Sequence, residues 1–168
     1  MKVCILTTPI RPIPTQFPPM GSMFIIQSLR EDGHEVDFFH IDYHRYTHKQ
    51  ILDYFKKNKY DAVGISAVVS TAYAYTKYIS DLIHKSNPKC IIFLGGGLAA
   101  SANVLLGKTK VKYCVIGDGE LIAKNLIKSL QENKTSDEDI MKIKGITFKN
   151  VNGEIIFTGY DKPLNAEN

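Results

Sequence analysis

One segment of the sequence has the residue types of a metal site. It reads HIDYHRYTH, and its possible ligands are His40, Asp42, His44 and His48. Imidazole and carboxylate groups are common metal ligands, and alternation along a strand would place the first three on one side. The segment leaves its predicted strand near Ile41, however, and no matching cluster occurs elsewhere in the sequence. We therefore interpret these residues as solvent-facing loop residues and predict no metal ligand.

A different chemistry is indicated where apolar runs end in glycine. Residues 90–94 pass directly into three glycines at 95–97, and GDGE at 117–120 follows another apolar run. Glycine lets a large or charged ligand approach the backbone because no side chain intervenes. Ser66 ends a third apolar run, where its hydroxyl could bind a ligand or the neighbouring backbone. The same features fit tight turns and a helix start favoured by nearby carboxylates, so both interpretations stay open.

Known phosphate-binding motifs do not fit these loops. A dinucleotide site needs G-x-G-x-x-G after the first strand, but residues 9–19 contain five prolines and no glycine. The P-loop pattern is absent, and Ser66 ends the third run, where a phospho-receiver would have an aspartate. No Ser/His/Asp, Cys/His or paired-carboxylate constellation occurs. We predict no catalytic residue in this chain, and whether its parent protein is an enzyme stays open.

Apolar runs and helical patterns alternate over residues 1–133. Strands are predicted at residues 2–8, 35–41, 61–69, 90–94 and 112–116, and helices at 20–32, 49–58, 71–86, 99–106 and 121–132. This alternation predicts an α/β fold with a mostly parallel sheet, whose right-handed crossovers place the strand-to-helix loops at one edge. Ligands bind at that carboxyl edge. After residue 133, runs at 145–149 and 154–158 joined through Asn152-Gly153 predict a β-hairpin.

Composition limits the classes of partner. The 168 residues suit one main domain, and a net charge of +4 with scattered lysines favours a solvated surface over a nucleic-acid site. No apolar stretch has the length of a membrane span. The three cysteines, Cys4, Cys90 and Cys114, are far apart in separate apolar runs. We expect buried thiols, a reducing compartment and a cytoplasmic location.

The order of several motifs resembles a known family. The motifs are PPMGSMFIIQSLREDGHEVDFFHID, YDAVGISAVVST, IIFLGGG, VIGDGE and the closing GITFKNVNGEIIF. Together they resemble the N-terminal cobalamin (B12)-binding domain of B12-dependent radical SAM enzymes, including the anaerobic magnesium-protoporphyrin monomethyl ester cyclase-like subfamily. The resemblance covers residues 1–163. It implies a flavodoxin-like (Rossmann-like) five-stranded parallel sheet of order 2-1-3-4-5, with helices on both faces and a C-terminal β-hairpin.

The resemblance also implies a cofactor site. Cobalamin would lie with its corrin over the carboxyl strand ends and its nucleotide tail inside the domain. Valine replaces the usual leucine at position 68, and glycine replaces the common proline at position 97. The positions that match the family's cobalamin-binding residues are Thr8, Pro9, Ser66, Ala67, Val68, Gly95, Gly96, Gly97, Gly117, Gly119 and Glu120.

Two motifs of related proteins are absent. D-x-H-x-x-G, whose histidine ligates cobalt, does not follow the first strand. Residues 42–44 imitate part of it, but they follow the second strand and have Thr47 in place of the glycine. The resemblance therefore implies base-off cobalamin with no protein histidine ligand. The three-cysteine motif C-x-x-x-C-x-x-C is also missing, so the 4Fe-4S cluster and S-adenosylmethionine of a full-length parent would not bind to this chain.

These implications divide the chain into three parts. Residues 1–133 are expected to form the cobalamin-binding α/β domain, residues 134–159 a connection and hairpin extension, and residues 160–168 a linker toward a missing downstream radical SAM barrel. The domain would present the corrinoid to that barrel. An alternative is a flavodoxin-like module that binds no corrinoid and serves as an interaction domain, or that binds another nucleotide or a flavin.

Overall fold

Strands and helices alternate from the first residues of the chain. The computed structural model describes residues 1–160, so the predicted linker lies beyond them except for Tyr160. The strands are β1 Lys2–Thr7, β2 Glu35–Phe39, β3 Ala62–Ser66, β4 Ile91–Gly95, β5 Tyr113–Val115, β6 Ile146–Lys149 and β7 Ile155–Phe157. The helices are α1 Met20–Glu31, α2 Ile41–His44, α3 His48–Lys57, α4 Tyr73–Ser86, α5 Ala102–Lys108, α6 Gly119–Gln131 and α7 Asp137–Met141. Within these residues, no helix combines the length and the apolar character needed to cross a membrane.

The seven strands form one sheet of order β2-β1-β3-β4-β5-β6-β7. The first five are parallel, which confirms the predicted order 2-1-3-4-5 and the flavodoxin-like α/β fold. The predicted number of strands was wrong, because the C-terminal hairpin joins the same sheet. β6 pairs antiparallel with β5, with Val115 opposite Ile146, and β7 pairs antiparallel with β6. The hairpin thereby satisfies backbone groups of β5 that would otherwise lie at an open edge.

Each face of the sheet has its own core, because successive side chains of a strand point to opposite faces. One core gathers Leu6 and Leu94 with buried residues of α3, α4 and α5, and we call this side the packed face. The other gathers Ile5 and Phe93 with buried residues of α1, α6 and α7, and we call it the open face. Helices α1 and α6 also pack against each other. Both faces of the sheet are therefore covered, as expected.

Aromatic and polar side chains fill the packed face near β2. The Phe39 ring stacks on Tyr54 with a centroid distance of 4.0 Å. The Tyr60 hydroxyl donates to Asp37 Oδ2 at 2.6 Å and lies 2.6 Å from the Tyr54 hydroxyl. This chain of hydrogen bonds satisfies a carboxylate and two phenols beside the hydrophobic core.

All three cysteines belong to the packed face. Cys4, Cys90 and Cys114 are buried free thiols in its hydrophobic cluster. Burial raises the pKa of the Cys90 and Cys114 thiols to about 12, since the apolar surroundings disfavour the thiolate. They pack as small apolar residues, as the sequence indicated.

Helix α7 lies in a segment that was predicted to be a charged connection. Asp139 N donates to the Ser136 side chain at 3.2 Å, which caps the helix, and Ile140 is buried in the open-face core. Serine is a common residue at the N-cap of a helix. Charged residues precede Ile140, the buried residue of the helix, so the sequence pattern did not indicate α7.

Candidate functional site

A cleft of about 490 Å³ opens at the carboxyl edge of the parallel strands. It lies between the open face of the sheet and the helices α1 and α6. Ile5, Gly64 and Phe93 form its floor on the sheet, and Ile25 and Ala123 line it from the two helices. The loops that follow β1, β3, β4 and β5 surround its mouth. This is the position at which open α/β sheets bind ligands.

The three consecutive glycines at the end of β4 have different roles. Gly96 has a φ of +90°, and a Cβ there would lie 2.7 Å from the Ala67 carbonyl oxygen. A Cβ at Gly97 would collide with the Val68 carbonyl oxygen. These two glycines are therefore required by the close passage of the loop after β3. Gly95 is different, because it lines the cleft and its Cβ would lie 3.9 Å from the nearest atom, in Val115.

Most of the positions predicted from the sequence line the cleft. They are Thr8, Ser66, Val68, Gly95, Gly96, Gly117, Gly119 and Glu120. Pro9, Ala67 and Gly97 are not among the lining residues. The Thr8 side chain is buried, and its hydroxyl donates to the Ser66 carbonyl oxygen at 3.2 Å. Thr8 therefore joins two loops of the site, while Val68 is exposed at its rim.

Two hydroxyl groups of the cleft were missed by the sequence reasoning. Ser22 is 3% exposed and lines the cleft, and its Oγ has no hydrogen-bond partner among the described residues. Thr15 Oγ1, in the proline-rich loop, is likewise buried and unpartnered within that part of the chain. A signal for Ser22 existed, because it shares the core-facing stripe of α1 with Ile26 and Leu29. A polar residue in an apolar stripe indicates a buried polar partner.

The proline-rich wall of the cleft is tied to α2 by an ion pair between the buried Asp42 and the half-buried Arg45. Asp42 Oδ1 accepts from Ile10 N at 3.0 Å and from Arg45 Nη2 at 2.9 Å. Arg45 Nη2 also donates to the carbonyl oxygens of Arg11 and Ile13, each at 2.7 Å. The expectation that Asp42 faces solvent was wrong, since it is 2% exposed. Its burial depends on tertiary partners that the local pattern does not reveal.

His40, at the end of β2, also borders the cleft. Its Nδ1 lies 2.8 Å from Thr7 Oγ1, and the Thr7 oxygen accepts from Asp42 N at 3.3 Å. Partial burial lowers the pKa of the His40 imidazole, and the nearby Asp42 charge partly opposes this effect. Among residues 1–160, no group of three His, Cys, Asp or Glu side chains is arranged to hold a metal ion.

The charges around the cleft set limits on a ligand. Asp42, Asp118 and Glu120 line it, and no lysine or arginine of the described residues does so. Helices α1 and α6 begin at the mouth, where the positive ends of their dipoles partly offset the carboxylates. The arrangement suits a ligand with many neutral polar groups and little net charge. It does not suit a polyphosphate.

Comparison with known proteins identifies the class of this α/β domain. A sequence model of the B12 binding domain matches residues 7–127. The chain belongs to the B12-binding domain family, which confirms the resemblance seen in its motifs. No individually curated protein matches it.

Solved structures support the same fold. One is a radical S-adenosylmethionine methyltransferase, TsrM from Kitasatospora setae, with cobalamin and a [4Fe-4S] cluster bound. It has a TM-score of 0.74 and 19% identity over 99% of this chain and 30% of that chain. Another is the cobalamin-dependent S-adenosylmethionine radical enzyme OxsB with aqua-cobalamin bound. It has a TM-score of 0.79 and 20% identity over 96% of this chain and 22% of that chain. The present chain thus spans less than a third of either enzyme.

Proposed function

We propose that this chain is a domain that binds base-off cobalamin, without a protein histidine ligand to cobalt, and presents the corrinoid to a radical SAM domain outside the chain. The observation that carries the proposal is the cleft at the carboxyl edge of the sheet, in a chain of the B12-binding family. The corrin would lie over the strand ends. Bound cobalamin supplies a cobalt centre that can carry a methyl group.

The floor of the cleft suits the nucleotide tail of the cofactor. Gly64 has no side chain on the sheet, and Gly95 leaves open space at the entrance. Ile5 and Phe93 of the floor, together with Val115, provide an apolar surface against which a flat base can pack. The tail would pass Gly95 and enter between the sheet and α1, while Ser66, Val68 and Gly117 border the corrin side.

The charge of the cleft favours cobalamin over the other nucleotide ligands considered. A flavin mononucleotide or a nucleoside polyphosphate carries at least one phosphate with a double charge, which would lie near Asp118 and Glu120 with no lysine or arginine of the described residues lining the cleft. Cobalamin has one phosphodiester and a rim of neutral amides. Carboxylates accept hydrogen bonds from amide groups, so the same charges would assist this ligand.

A downstream partner is part of the proposal. TsrM and OxsB are named as radical enzymes, and this chain matches less than a third of each. We propose that the parent protein carries a radical SAM barrel, with its 4Fe-4S cluster and S-adenosylmethionine bound there. A cytoplasmic location is supported by the three free thiols.

The decisive experiment adds hydroxocobalamin to the purified wild type and to the variants Gly95→Leu and Gly107→Leu. Retained corrinoid is measured by the visible spectrum after desalting, and affinity is measured by equilibrium titration. Gly95→Leu places a side chain in the cleft, and the free space around its Cβ should let the protein fold. Gly107→Leu is the matched control, because Gly107 is an exposed helical glycine with no atom within 4 Å of its Cβ position. We expect the wild type and Gly107→Leu to bind corrinoid and Gly95→Leu to bind at least about tenfold more weakly. Equal binding by Gly95→Leu, or none by the wild type, would contradict the proposal.

Cobalt ligation is tested separately. His40 is the imidazole that borders the cleft among the described residues, and its Nδ1 is already paired with Thr7. We expect the electron paramagnetic resonance spectrum of the cob(II)alamin-loaded protein to show no splitting from an axial nitrogen. A nitrogen splitting that disappears in His40→Ala would overturn the assignment of cobalt without a histidine ligand.

A further inference from the structure

The buried hydroxyl of Ser22 lacks a partner where the cleft meets the first turn of α1. Ser22 is 3% exposed, and its Oγ forms no hydrogen bond within residues 1–160. Leaving a buried hydroxyl unpaired is unfavourable. Thr76 on the packed face has an equally unpartnered hydroxyl in the described part of the chain, but it lines neither of the described cavities. Ser22 differs because it borders space that a ligand can fill.

Two helix starts lie around the same space. Helices α1 and α6 are 12 and 13 residues long, and each begins at the cleft. Their N-cap residues, Pro19 and Asp118, make no side-chain capping hydrogen bond. The first N–H groups of a helix have no partner inside the helix, and they form a favourable site for an anionic oxygen. With the Ser22 hydroxyl, they provide donors from two elements.

The nearby carboxylates limit the charge of such an anion. Asp118 and Glu120 line the cleft at the start of α6, and a doubly charged phosphate would be repelled more strongly than a singly charged one. A phosphodiester carries one negative charge and accepts hydrogen bonds through two free oxygens. Its chemistry matches a site with a neutral hydroxyl, open backbone N–H groups and no cationic side chain.

We infer that Ser22 and the open first turns of α1 and α6 bind the phosphodiester of the nucleotide tail of cobalamin. This inference rests on the proposed function. It assigns to Ser22 a ligand-binding role that was not indicated by the sequence motif containing it. Ser22 Oγ donates to a phosphate oxygen, and the helix starts contribute backbone N–H groups. The phosphate then lies near the mouth of the cleft, with the base deeper between Gly64, Phe93 and Ile25.

The test compares Ser22→Ala with the wild type using three probes. The probes are cobalamin, cobinamide phosphate, which keeps a phosphate but lacks the nucleoside, and cobinamide, which lacks both. The titrations are made at about pH 5, below the second phosphate pKa of about 6, so that the phosphate of cobinamide phosphate carries mainly one negative charge, as a phosphodiester does. We expect Ser22→Ala to weaken cobalamin and cobinamide phosphate by roughly 10- to 100-fold, as for a buried hydrogen bond to a charged group. Cobinamide affinity should not change. The melting temperature of the unliganded protein should not fall, because the substitution removes a hydroxyl that has no partner in the described structure.

The matched control is Thr76→Val, which removes the unpartnered hydroxyl of the packed face. It should leave the affinity for all three probes unchanged. Unchanged cobalamin affinity in Ser22→Ala overturns the inference, while the proposed function stands if the wild type binds. If Ser22→Ala weakens the affinity for cobalamin alone, Ser22 contacts the nucleoside, and the phosphate assignment is overturned. Cobinamide phosphate that binds to the wild type no better than cobinamide overturns it as well. Failure of the wild type to bind any corrinoid overturns the proposed function itself.

Discussion

The two faces of the sheet are built for different tasks. On the packed face, α3, α4 and α5 cover the parallel strands, and aromatic rings and a Tyr–Tyr–Asp hydrogen-bond chain fill the space beside β2. On the open face, α1 and α6 cover the strands at their centre but leave a cleft at the carboxyl edge. Side chains alternate between these faces along every strand. One face can therefore stabilise the fold while the other keeps room for a ligand.

The largest effect should come from the packed face. Ile79→Ala removes a side chain of α4 that is 0% exposed, and the cavity left behind should lower the free energy of unfolding by about 2–5 kcal/mol. Urea denaturation measures this loss. The fraction that remains folded should bind cobalamin with wild-type affinity. A weaker affinity of the folded protein would show that the packed face and the cleft are energetically coupled.

A substitution at the floor of the cleft should lower the stability by less than Ile79→Ala does, and it should also weaken cobalamin binding. A Cβ at Gly64 would lie 2.5 Å from Phe93 Cζ and 2.7 Å from Ile5 Cδ1. Gly64→Ala should therefore displace these side chains, destabilise the protein by about 1–3 kcal/mol and weaken cobalamin binding. Denaturation and titration of one preparation measure both. Gly107→Ala, at an open helical position, should instead be neutral or stabilising by about 0.4–1 kcal/mol. Wild-type cobalamin affinity in Gly64→Ala would show that the floor of the cleft does not contribute to cobalamin binding.

The wall of the cleft should respond to Asp42→Asn. This change removes the charge that holds Arg45 and the proline-rich loop, and it should lower the free energy of unfolding by about 1–2 kcal/mol. Hydrogen exchange at the Ile10 amide should accelerate more than exchange in β4. Asp53→Asn breaks an exposed pair with Lys49 and should have no measurable effect. Equal exchange rates in Asp42→Asn and wild type would show that the pair does not anchor the loop.

At pH 8, the smallest effect on stability should be that of the ionisation of the packed-face thiols. The pKa of Cys90 and Cys114 rises from an ordinary value of about 9 to about 12 on burial. Because the unfolded chain loses these protons first, their contribution to stability is complete below pH 9 and declines as the pH rises toward 12. At pH 8 a thiol reagent should react only as the protein unfolds, and cobalamin should slow the reaction by stabilising the fold. Rapid labelling of the native protein would show that the packed face opens locally.

The sequence predicted the five parallel strands well because each is a short apolar run followed by a turn or a helix. It also predicted the loops that meet at the cleft, since parallel topology places the carboxyl ends together. It did not show that Gly96 and Gly97 are required by backbone packing whereas Gly95 leaves open space. The burial of Asp42 depends on Arg45 and on Ile10, which lies 32 residues away in sequence. The position of Ser22 in the apolar stripe of α1 indicated its burial, but only the structure shows that its hydroxyl borders the cleft without a hydrogen-bond partner among the described residues.

The C-terminal hairpin, finally, determines where the described chain leaves the sheet. Helix α6 runs from the cleft edge toward the opposite edge, and β6 starts again beside the carboxyl end of β5, with Ile146 opposite Val115. β6 runs away from the cleft edge and β7 runs back toward it, so that Phe157 lies opposite Thr147 at the cleft edge. Two reversals therefore bring Tyr160 back to the edge that carries the ligand loops. A domain joined at that point would begin at the same edge of the sheet as the cleft, whereas one joined directly after α6 would begin about a strand length away, roughly 17 Å for five residues.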